Sequence, residues 1–468
     1  MKVHWVNGVE KHHNKQNRTN TTIQEKPQHN DKNPLNQTNH QNQSTTHEGG
    51  EEDRGLNRKF KRGVKDKGIG HWVNGIEREK KSRVWEERRI DRNEERKGEN
   101  TVNIAMIGHK HIPSREGGIE VVVEELSTRM VKLGHSVTCF NRKGRHVSGG
   151  EIEKLKEYEG VKIKEVFTIE RKGLAAMTSS LFATLSATFS NYEVIHIHAE
   201  GPAFFSFIPH LLHKKVVVTI HGLDWDRAKW SGFAKWYIKQ GEKNAVKYAD
   251  EIIVLSQGVR EYFLKEYGRE TKFIPNGVNK PEIREADEIK KWGLEKDGYV
   301  LYLGRIVPEK GEHYLVQAYK KIKSNKKLVI AGGISDTAGY GKELKELAAG
   351  DERIIFTGFV QGRALEELYS NAYIYCLPSD LEGMPLSLLE AMSYGNCCLA
   401  SDIDECKEVV EDKGVVFRRG DTEDLKEKLE WLLGDKEVVE KYKSEASTFI
   451  TKKYNWDDVV EKTMRVYR

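Results

Sequence analysis

Cysteine is scarce in this chain of 468 residues, and its spacing excludes two classes of stabilised protein. The five cysteines are Cys139, Cys376, Cys397, Cys398 and Cys406, an odd number that includes no Cys-x-x-Cys pair. A disulfide framework needs an even set, and the common zinc sites need ligand pairs at short spacing. We therefore expect no bound metal and five reduced thiols, as in a protein of the cytosol.

Long hydrophobic runs are also missing. No charge-free apolar stretch reaches the roughly 20 residues that a membrane-spanning helix needs. The nearest one, 173–190, contains seven Ser or Thr residues and predicts a half-buried helix. The amino terminus, MKVHWVNGVEKHH, lacks an apolar core of signal-peptide length. The sequence thus predicts a cytoplasmic protein that contacts, at most, the inner face of the plasma membrane peripherally.

Residues 1–100 contain little that could form a core. They include only 17 apolar residues, and 22 Lys and Arg against 16 Asp and Glu give them a charge of +6. The other residues hold 55 basic and 56 acidic side chains, so the basic balance belongs to the first hundred. We predict a disordered, basic, low-complexity extension and no specific nucleic-acid partner. Its repeat, HWVNGVE at 4–10 and HWVNGIE at 71–77, is either a docking motif or a relic of duplication.

From residue 101 onward, short runs rich in Val and Ile alternate with amphipathic stretches. Six such runs precede the charged segment 275–298 and six follow it. Strands that alternate with helices predict right-handed βαβ units and parallel sheets covered on both faces. We therefore predict an α/β fold of two doubly wound, Rossmann-like domains, 101–280 and 281–468, with the last helix free to cross back to the first. The carboxyl ends of their strands would face each other across a ligand-binding cleft.

The strongest motif is SDLEGMPLSLLEAM at 379–392, which follows the predicted strand YIYCL. Pro385 suits the first position of a helix, and Gly383 allows backbone to approach a ligand closely. The free amides of that helix start favour an anion. Glu382 and Glu390 then make sense as partners of sugar hydroxyls, although ordinary acidic residues of a helix start remain the alternative.

Two glycine-bearing loops follow the first predicted strand of each domain. In GRIVPEKG at 304–311, Arg305 and Lys310 can neutralise a diphosphate, or they are ordinary surface charges. The loop GHKHIPSREGGIE at 108–120 lacks G-x-G-x-x-G, so the pattern argues against a dinucleotide cofactor.

Two histidines end neighbouring predicted strands of the first domain. His198 closes EVIHIH and His221 closes VVVTIH. A histidine at such a strand end can polarise or position a substrate. The alternative is that both histidines have only a structural role. Asp224-x-Asp226 follows at once and imitates a metal-binding motif. Because Trp225 suits a helix start equally well, the motif does not by itself indicate a metal.

These motifs, taken in order, resemble glycosyltransferase family 4, whose members have the GT-B fold. EGMPLSLLE, with seven residues between Glu382 and Glu390, is similar to the signature of its retaining enzymes. GRIVPEKG resembles the family's phosphate-binding loop, and GGIE at 117–120 its amino-terminal glycine loop. MIGHKHIPSREGGIEVVVEEL and HGLDWDRAKW are also similar to a bacterial subgroup that includes rhamnosyltransferases of surface polysaccharide synthesis. Residues 1–100 have no counterpart in this resemblance.

The resemblance implies a role for each matching position, and the residues concerned fall into two sets. The catalytic set comprises Glu382, which contacts the transferred sugar, His221 at the reaction centre, and Arg305 and Lys310, which bind the diphosphate and stabilise the leaving group. The remaining donor-binding positions are Gly117, Gly118, Val360 near the base, Gly383, Met384, and Glu390 on the ribose.

We therefore expect a retaining hexosyltransferase that moves a sugar from a nucleoside diphosphate sugar to a glycan or lipid-linked acceptor in cell-surface polysaccharide synthesis. The resemblance implies no cofactor and no obligatory metal. An epimerase or phosphorylase on the same architecture is a rival, opposed by the intact carboxylate pair and by the lack of a cofactor-binding lysine signature. The alternative of another class is an inactive GT-B scaffold whose basic extension binds anionic lipid or RNA.

Peripheral contact with an anionic membrane is a further expectation. FFSFIPHLLHKK at 204–215 and the Trp- and Lys-rich stretch 225–239 are suited to a bilayer that carries a lipid-linked acceptor. The alternative is that Trp230, Phe233 and Tyr237, at helical spacing, pack into the core.

Overall fold

The computed structural model describes residues 101–144, 154–171, 173–226, 232–334 and 338–468. All of these residues belong to one compact unit. The predicted extension, 1–100, and its repeated heptapeptide lie outside the described residues.

The first sheet has eight strands. In chain order these are β1 (Asn103–Ile107), β2 (Ser136–Arg142), β3 (Glu157–Tyr158), β4 (Val161–Val166), β5 (Val194–His198), β6 (Lys215–Ile220), β7 (Glu251–Val254) and β8 (Lys272–Phe273). Their order across the sheet is β3-β4-β2-β1-β5-β6-β7-β8, and only β3 and β4 pair antiparallel. The sequence predicts six of these strands and misses the two-residue strands β3 and β8.

The second sheet has six strands and is wholly parallel. They are β9 (Tyr299–Leu303), β10 (Lys327–Ala331), β11 (Ile354–Gly358), β12 (Ile374–Leu377), β13 (Cys397–Ser401) and β14 (Val415–Phe417). Their order is β11-β10-β9-β12-β13-β14. Chain order changes direction between β9 and β12, so the loops that follow these two strands lie side by side at the carboxyl edge.

Helices connect the strands and cover the sheets. They are α1 (Gly118–Lys132), α2 (Leu174–Thr188), α3 (Glu200–Ala203), α4 (Phe207–Leu211), α5 (Gly232–Tyr248), α6 (Gln257–Tyr267), α7 (Glu312–Lys320), α8 (Ala338–Ala348), α9 (Gly362–Asn371), α10 (Leu386–Ser393), α11 (Asp404–Val410), α12 (Thr422–Gly434), α13 (Lys436–Lys453) and α14 (Trp456–Tyr467). The predicted fold class, two α/β domains that are each built on a mainly parallel sheet, is confirmed. The segment 275–298 additionally contains a 3-10 helix, Glu288–Trp292.

The strands are buried because helices cover both faces of each sheet. On one face of the first sheet, Val122 and Met130 of α1 pack with Met464 of α14. On the other face, apolar side chains of α2, α5 and α6 meet the same strands. A single large cluster fills the second sheet and its helices. Near-continuous Val and Ile runs suit strands enclosed in this way.

The last helix, α14, packs on the first sheet and not on the second, whose strands it follows in the chain. Trp456, Val460 and Tyr467 are buried there, against the helix α1. At Gly277 a Cβ would lie 2.6 Å from the Trp456 ring, so a glycine is needed where the connector passes this helix.

Two further features of the fold are its lack of a membrane-spanning helix among the described residues and the burial of its cysteines. Within the described residues, no helix is both long and apolar enough to cross a membrane. The five cysteines are free and buried. Burial raises the pKa of the Cys139 thiol to about 12, so this group is a packing residue and not a reactive thiolate.

Candidate active site

The carboxyl edges of the two sheets meet at two glycines. A Cβ on Gly383, after β12, would lie 1.6 Å from the carbonyl oxygen of His221, after β6. Gly222, with φ at +136°, lies against Gly383 from the other side. The sequence predicts that Gly383 allows backbone to approach a ligand, whereas the backbone that it approaches here is that of His221. This contact between the two loops forms the bottom of the cleft between the two domains.

Lys310 and Glu382 form an ion pair beside this junction. The Lys310 Nζ lies 2.5 Å from Glu382 Oε1, and the Ser379 hydroxyl donates to the same oxygen at 2.7 Å. The two charged side chains are only 16% and 7% exposed. The interpretation of Lys310 as an ordinary surface charge is therefore wrong.

A buried carboxyl group supports the loop that carries Lys310. Glu312 Oε1 accepts hydrogen bonds from the Tyr302 hydroxyl at 2.8 Å and from the Val307 amide at 3.3 Å, and its Oε2 accepts from Tyr340 at 2.9 Å. Burial raises the pKa of Glu312 to about 7, against the opposing effect of these hydrogen bonds. Gly311, at φ +70°, has no room for a Cβ, which would lie 2.0 Å from the Pro378 carbonyl oxygen.

Arg305 belongs to the same loop but differs from Lys310 in its contacts. Its carbonyl accepts from the Tyr302 hydroxyl at 3.1 Å. Its half-buried guanidinium makes no hydrogen bond or ion pair with the described residues. Arg305 is therefore a cation available to an anionic ligand, whereas Lys310 already has a carboxylate partner.

Glu390 is held by one residue from each domain. Its Oε2 accepts from the Tyr369 hydroxyl at 3.1 Å, and its Oε1 lies 3.5 Å from Arg115 Nη1. Burial raises the pKa of Glu390, and the Arg115 charge opposes this rise. The helix α10 starts at Leu386, so Pro385 is its N-cap and not its first helical residue as the sequence predicts.

Sequence reasoning misses Arg115, although it lies inside the quoted loop at 108–120. Its side chain is 40% exposed, and it also lies 3.9 Å from Glu125. The Arg115 guanidinium reaches across the cleft to the Glu390 carboxylate. This is the position at which we expect the ribose of the nucleotide. The signal that could have identified it is its position two residues before Gly117.

The glycine pair of the first domain faces the second domain. Gly117 is the N-cap of α1 and has no side chain, so it gives the first amides of the helix no side-chain cap. A Cβ on the exposed Gly118 would lie 3.4 Å from Leu386 Cδ1, at the start of α10. The starts of α1 and α10 therefore oppose each other across the cleft.

The two remaining donor-binding positions of the sequence analysis are Val360 and Met384. Val360 follows β11, three strands from β12 in the sheet, and is half-buried against the second core. The Met384 sulfur accepts a hydrogen bond from the Asn276 amide at 2.9 Å. In this structure Met384 therefore ties the connector to the loop of Glu382.

The predicted histidine pair is in direct contact. His198 Nδ1 and His221 Nε2 are 3.0 Å apart. His198 is fully buried, and His221 is half-buried at the domain junction. The strand ends thus bring together His221, Gly383 and the ion pair of Lys310 with Glu382.

Asp224 and Asp226 form a 3-10 turn with Trp225 between them. The Trp225 indole donates to Glu242 at 2.7 Å, and Lys239 lies 4.1 Å from the centre of its ring. In the described part of the chain, no three His, Cys, Asp or Glu side chains are grouped in a way that could hold a metal ion.

Known proteins share this arrangement of two facing parallel α/β domains. The family model described as Glycosyltransferase Family 4 matches residues 116–280, and the model Glycosyl transferases group 1 matches residues 284–449. Together they span most of the two domains. The fold is GT-B. The chain belongs to glycosyltransferase family 4 and is a transferase enzyme.

Individual relatives agree with this assignment. An uncharacterized glycosyltransferase of Methanocaldococcus jannaschii is 24% identical over 390 residues, covering 78% of this chain and 98% of that protein. The alpha-maltose-1-phosphate synthase of Mycolicibacterium smegmatis is 25% identical over 405 residues, covering 78% and 99%.

Two solved structures show the same fold. Sucrose-phosphate synthase from Thermosynechococcus elongatus has a TM-score of 0.67 at 21% identity, covering 78% of this chain and 98% of that one. HepE of Anabaena, in complex with UDP-glucose, has a TM-score of 0.65 at 16% identity, covering 78% and 99%. The resemblance to rhamnosyltransferases stays a prediction.

Proposed function

We propose that this chain is a retaining glycosyltransferase whose donor is a nucleoside diphosphate sugar and whose acceptor is a glycan or lipid-linked sugar of a cell-surface polysaccharide. The observation that carries the proposal is the set of opposite charges at the junction of the sheets. Arg305 offers a cation without a partner among the described residues, and Lys310 adds a second cation. Glu382 and Glu390 offer oxygens that accept from hydroxyl groups. The complex of the Anabaena relative with UDP-glucose supports the donor class.

In this proposal the two cations act on the leaving group. Negative charge grows on the diphosphate as the bond to the sugar breaks, and positioned cations stabilise that charge. Arg305 binds first because it has no ion pair to break, and Lys310 follows at the cost of its contact with Glu382. The proposal therefore needs no metal. Turnover that persists in chelator-treated buffer supports this, and strict dependence on a divalent cation contradicts it.

Within the proposed retaining mechanism, the geometry of Glu382 argues against a covalent intermediate. Glu382 Oε1 is already engaged by Lys310 and Ser379, and the side chain is almost wholly buried, so it is poorly placed to attack the sugar carbon. The acceptor hydroxyl then attacks from the face that the diphosphate leaves, and a phosphate oxygen takes its proton.

A panel of nucleotide sugars tests both parts of the proposal. Purified protein is incubated with each donor, with and without membrane extract, and the released nucleoside diphosphate is measured. Nuclear magnetic resonance of the anomeric proton then compares the product with the donor. Absence of turnover with every donor contradicts the donor class, and an inverted anomeric centre contradicts retention.

Exposed apolar side chains on three adjacent helices of the first domain favour a membrane as the place of the acceptor. Thirteen large apolar side chains are exposed among the described residues, and seven of them lie on the adjacent helices α2, α4 and α5 or at their ends. We call this the apolar helix face. Its members are Leu174, Phe182, Phe189, Leu211, Leu212, Phe233 and Trp236. The interpretation of Phe233 as a core residue is wrong, since it is 68% exposed; Trp230 lies outside the described residues.

The charged residues of the same helices also favour binding to an anionic membrane. The helices α2 and α4 contain no Asp, Glu, Lys or Arg, and α5 contains four lysines and a single acidic residue, Glu242, which is buried. Lys235, Lys243 and Lys247 are exposed beside the aromatic residues. We therefore propose that the apolar helix face docks on an anionic bilayer at the inner face of the plasma membrane.

Sedimentation with vesicles of phosphatidylcholine and phosphatidylglycerol tests this docking. Each juxtamembrane lysine contributes about 1 kcal/mol, so replacing the three exposed lysines by glutamine should weaken binding about a hundredfold. The variant Phe233→Ser with Trp236→Ser should also lose binding. Trp431→Ser, which changes an exposed aromatic residue of α12 in the other domain, is the control and should bind like the wild type. Equal binding by all variants contradicts the proposal.

The inactive-scaffold alternative is not favoured. The family consists of transferases, and the carboxylates and cations of its signature are present in this chain. A protein that binds vesicles but turns over no donor would revive that alternative.

A further inference from the structure

The histidine pair is part of a longer buried array. His196 and His198 lie on β5, and Thr219 and His221 follow the same face of β6 and its end, because alternate residues of a strand share a face. The rings of His196 and His198 are 4.2 Å apart at an angle of 32°, and those of His198 and His221 are 5.3 Å apart. Three imidazoles therefore form a row that ends at the domain junction.

The inner end of this row is fixed. His196 contacts the Tyr467 hydroxyl through Nδ1 at 2.6 Å and the Thr219 hydroxyl through Nε2 at 2.7 Å. Both of its nitrogens are thus engaged and its ring cannot turn without losing a buried hydrogen bond. His198 packs against this immobile ring, and its own backbone leaves no room for a Cβ on Gly108, which would lie 2.1 Å from the His198 carbonyl oxygen. His198 is therefore held on two sides.

The inference rests on the proposed function, in which His221 lies at the reaction centre. We propose that His198 is a positioning residue for His221: its Nδ1–H donates to His221 Nε2 and holds the His221 ring at the domain junction with its own proton on Nδ1. His198 does not touch the substrate. It acts through the orientation and the tautomer of the neighbouring ring, as the outer partners of metal-bound or catalytic histidines do.

The direction of the hydrogen bond follows from the other nitrogen of His198. His198 Nε2 is buried and has no partner among the described residues. A buried N–H group without a partner is rarer in proteins than an acceptor without one, so we assign the proton of His198 to Nδ1. Burial, together with the neighbouring histidines, lowers the pKa of His198 well below its usual range, so its ring is neutral and carries a single proton.

Nuclear magnetic resonance of the intact protein, labelled with ¹⁵N in histidine, tests the assignment without any substrate. The resonances of His221 are identified by their loss in His221→Gln. We expect the wild type to show His221 with its proton on Nδ1, the less common tautomer of a free imidazole. A wild-type spectrum with the proton on Nε2 of His221 overturns the inference, whatever the activity of the protein.

Two substitutions of His198 add a functional readout with the donor found in the panel. His198→Leu removes the hydrogen bond, and we expect kcat to fall about tenfold to a hundredfold, the range for such outer partners, while the KM for the donor changes less than kcat. In His198→Asn the amide nitrogen replaces the Nδ1 donor, so this variant should recover most of kcat and the wild-type tautomer of His221. A His198→Leu protein with wild-type kcat overturns the inference.

Thr219→Val is the matched control, because it also removes a buried hydrogen bond from the row but leaves the bond between His198 and His221 intact. It should lower the melting temperature about as much as His198→Leu and leave the His221 tautomer unchanged. If both variants lose kcat equally, His198 has only a structural role. If the wild type turns over no donor, the proposed function fails while the tautomer measurement still decides the inference.

Discussion

At the scale of single residues, we expect Lys310 to contribute both to the stability of the protein and to the proposed reaction. Its ion pair with Glu382 is mostly buried, and the loss of one partner of a buried pair costs about 3–5 kcal/mol. Loss of a positioned charge at a developing anion costs about 3–4 kcal/mol of transition-state stabilisation, roughly a hundredfold to a thousandfold in rate. Both losses are expected from one substitution, so they must be separated.

We predict that Lys310→Met lowers both the melting temperature and the turnover number. The double variant Lys310→Met with Glu382→Gln should regain stability, because no unpaired charge is left, but it should not regain turnover. Calorimetric unfolding and release of nucleoside diphosphate measure the two effects. A Lys310→Met enzyme with wild-type turnover contradicts the assigned role, even if its stability falls.

Glu390 and Glu382 should differ in what they bind. A charged acceptor contributes about 1.5–3 kcal/mol per hydrogen bond, so Glu390→Gln should weaken binding of free UDP about tenfold or more. Glu382→Gln should leave UDP affinity almost unchanged and reduce turnover, since its proposed contact is the sugar. Titration calorimetry with UDP measures both variants, and equal loss of affinity contradicts this division.

Such roles can be inferred from the sequence, but the contacts that connect these residues cannot. Lys310 and Glu382 are 72 residues apart, and Arg115 and Glu390 are 275 apart. Each pair exists because the order of strands and the facing of two sheets bring distant loops together, and no local pattern encodes that order. The contact between His196 and Tyr467, which are 271 residues apart, has no local signal either.

At the scale of elements, the long buried strands are predictable and the short ones are not. Six runs of Val and Ile mark the strands of the first sheet, whereas β3 and β8 contain two residues each. β3 depends on a turn in which Glu159 and Gly160 have φ at 45° and 81°, the geometry of a primed hairpin turn. The pair Glu-Gly is a weak signal for such a turn, because Glu rarely adopts a positive φ.

The loop at 304–311 should respond to pH through Glu312. Its pKa rises from an ordinary 4.5 to about 7 on folding, so the folded protein favours the protonated carboxyl. The stability that this preference provides is complete below pH 4.5 and is lost as pH rises to 7. The difference corresponds to about 3 kcal/mol.

We therefore predict that Glu312→Gln, which imitates the protonated carboxyl, gains stability relative to the wild type as pH rises across this interval. Chemical unfolding of both proteins between pH 4 and pH 8 measures the difference in free energy. A difference that does not change with pH would show that the pKa of Glu312 is the same in the folded and the unfolded chain, so that the hydrogen bonds from Tyr302 and Tyr340 balance its burial.

At the scale of the whole molecule, the last helix joins the two domains into one unit. The family models end at residue 449, before α14 begins at Trp456. The helix nevertheless packs into the core of the first sheet and reaches His196 through Tyr467. The carboxyl-terminal segment thus completes a domain whose strands lie more than 180 residues earlier in the chain.

We predict that a chain ending at Asn455 loses the cooperative unfolding of the first domain. Six apolar side chains of α14 are buried, and each contributes about 1.5–3 kcal/mol. Their sum of roughly 9–18 kcal/mol is comparable to or larger than the whole net stability of about 5–15 kcal/mol of a typical domain.

Two neighbouring point variants of α14 test the same packing on a smaller scale. Met464→Ala should cost about 2–5 kcal/mol of stability, whereas Arg465→Ala, at an exposed position, should cost no more than about 0.5 kcal/mol. Calorimetry that finds two intact transitions in the shortened chain would show that the first domain folds without this helix, and the contact of Tyr467 with His196 would then be incidental to the site.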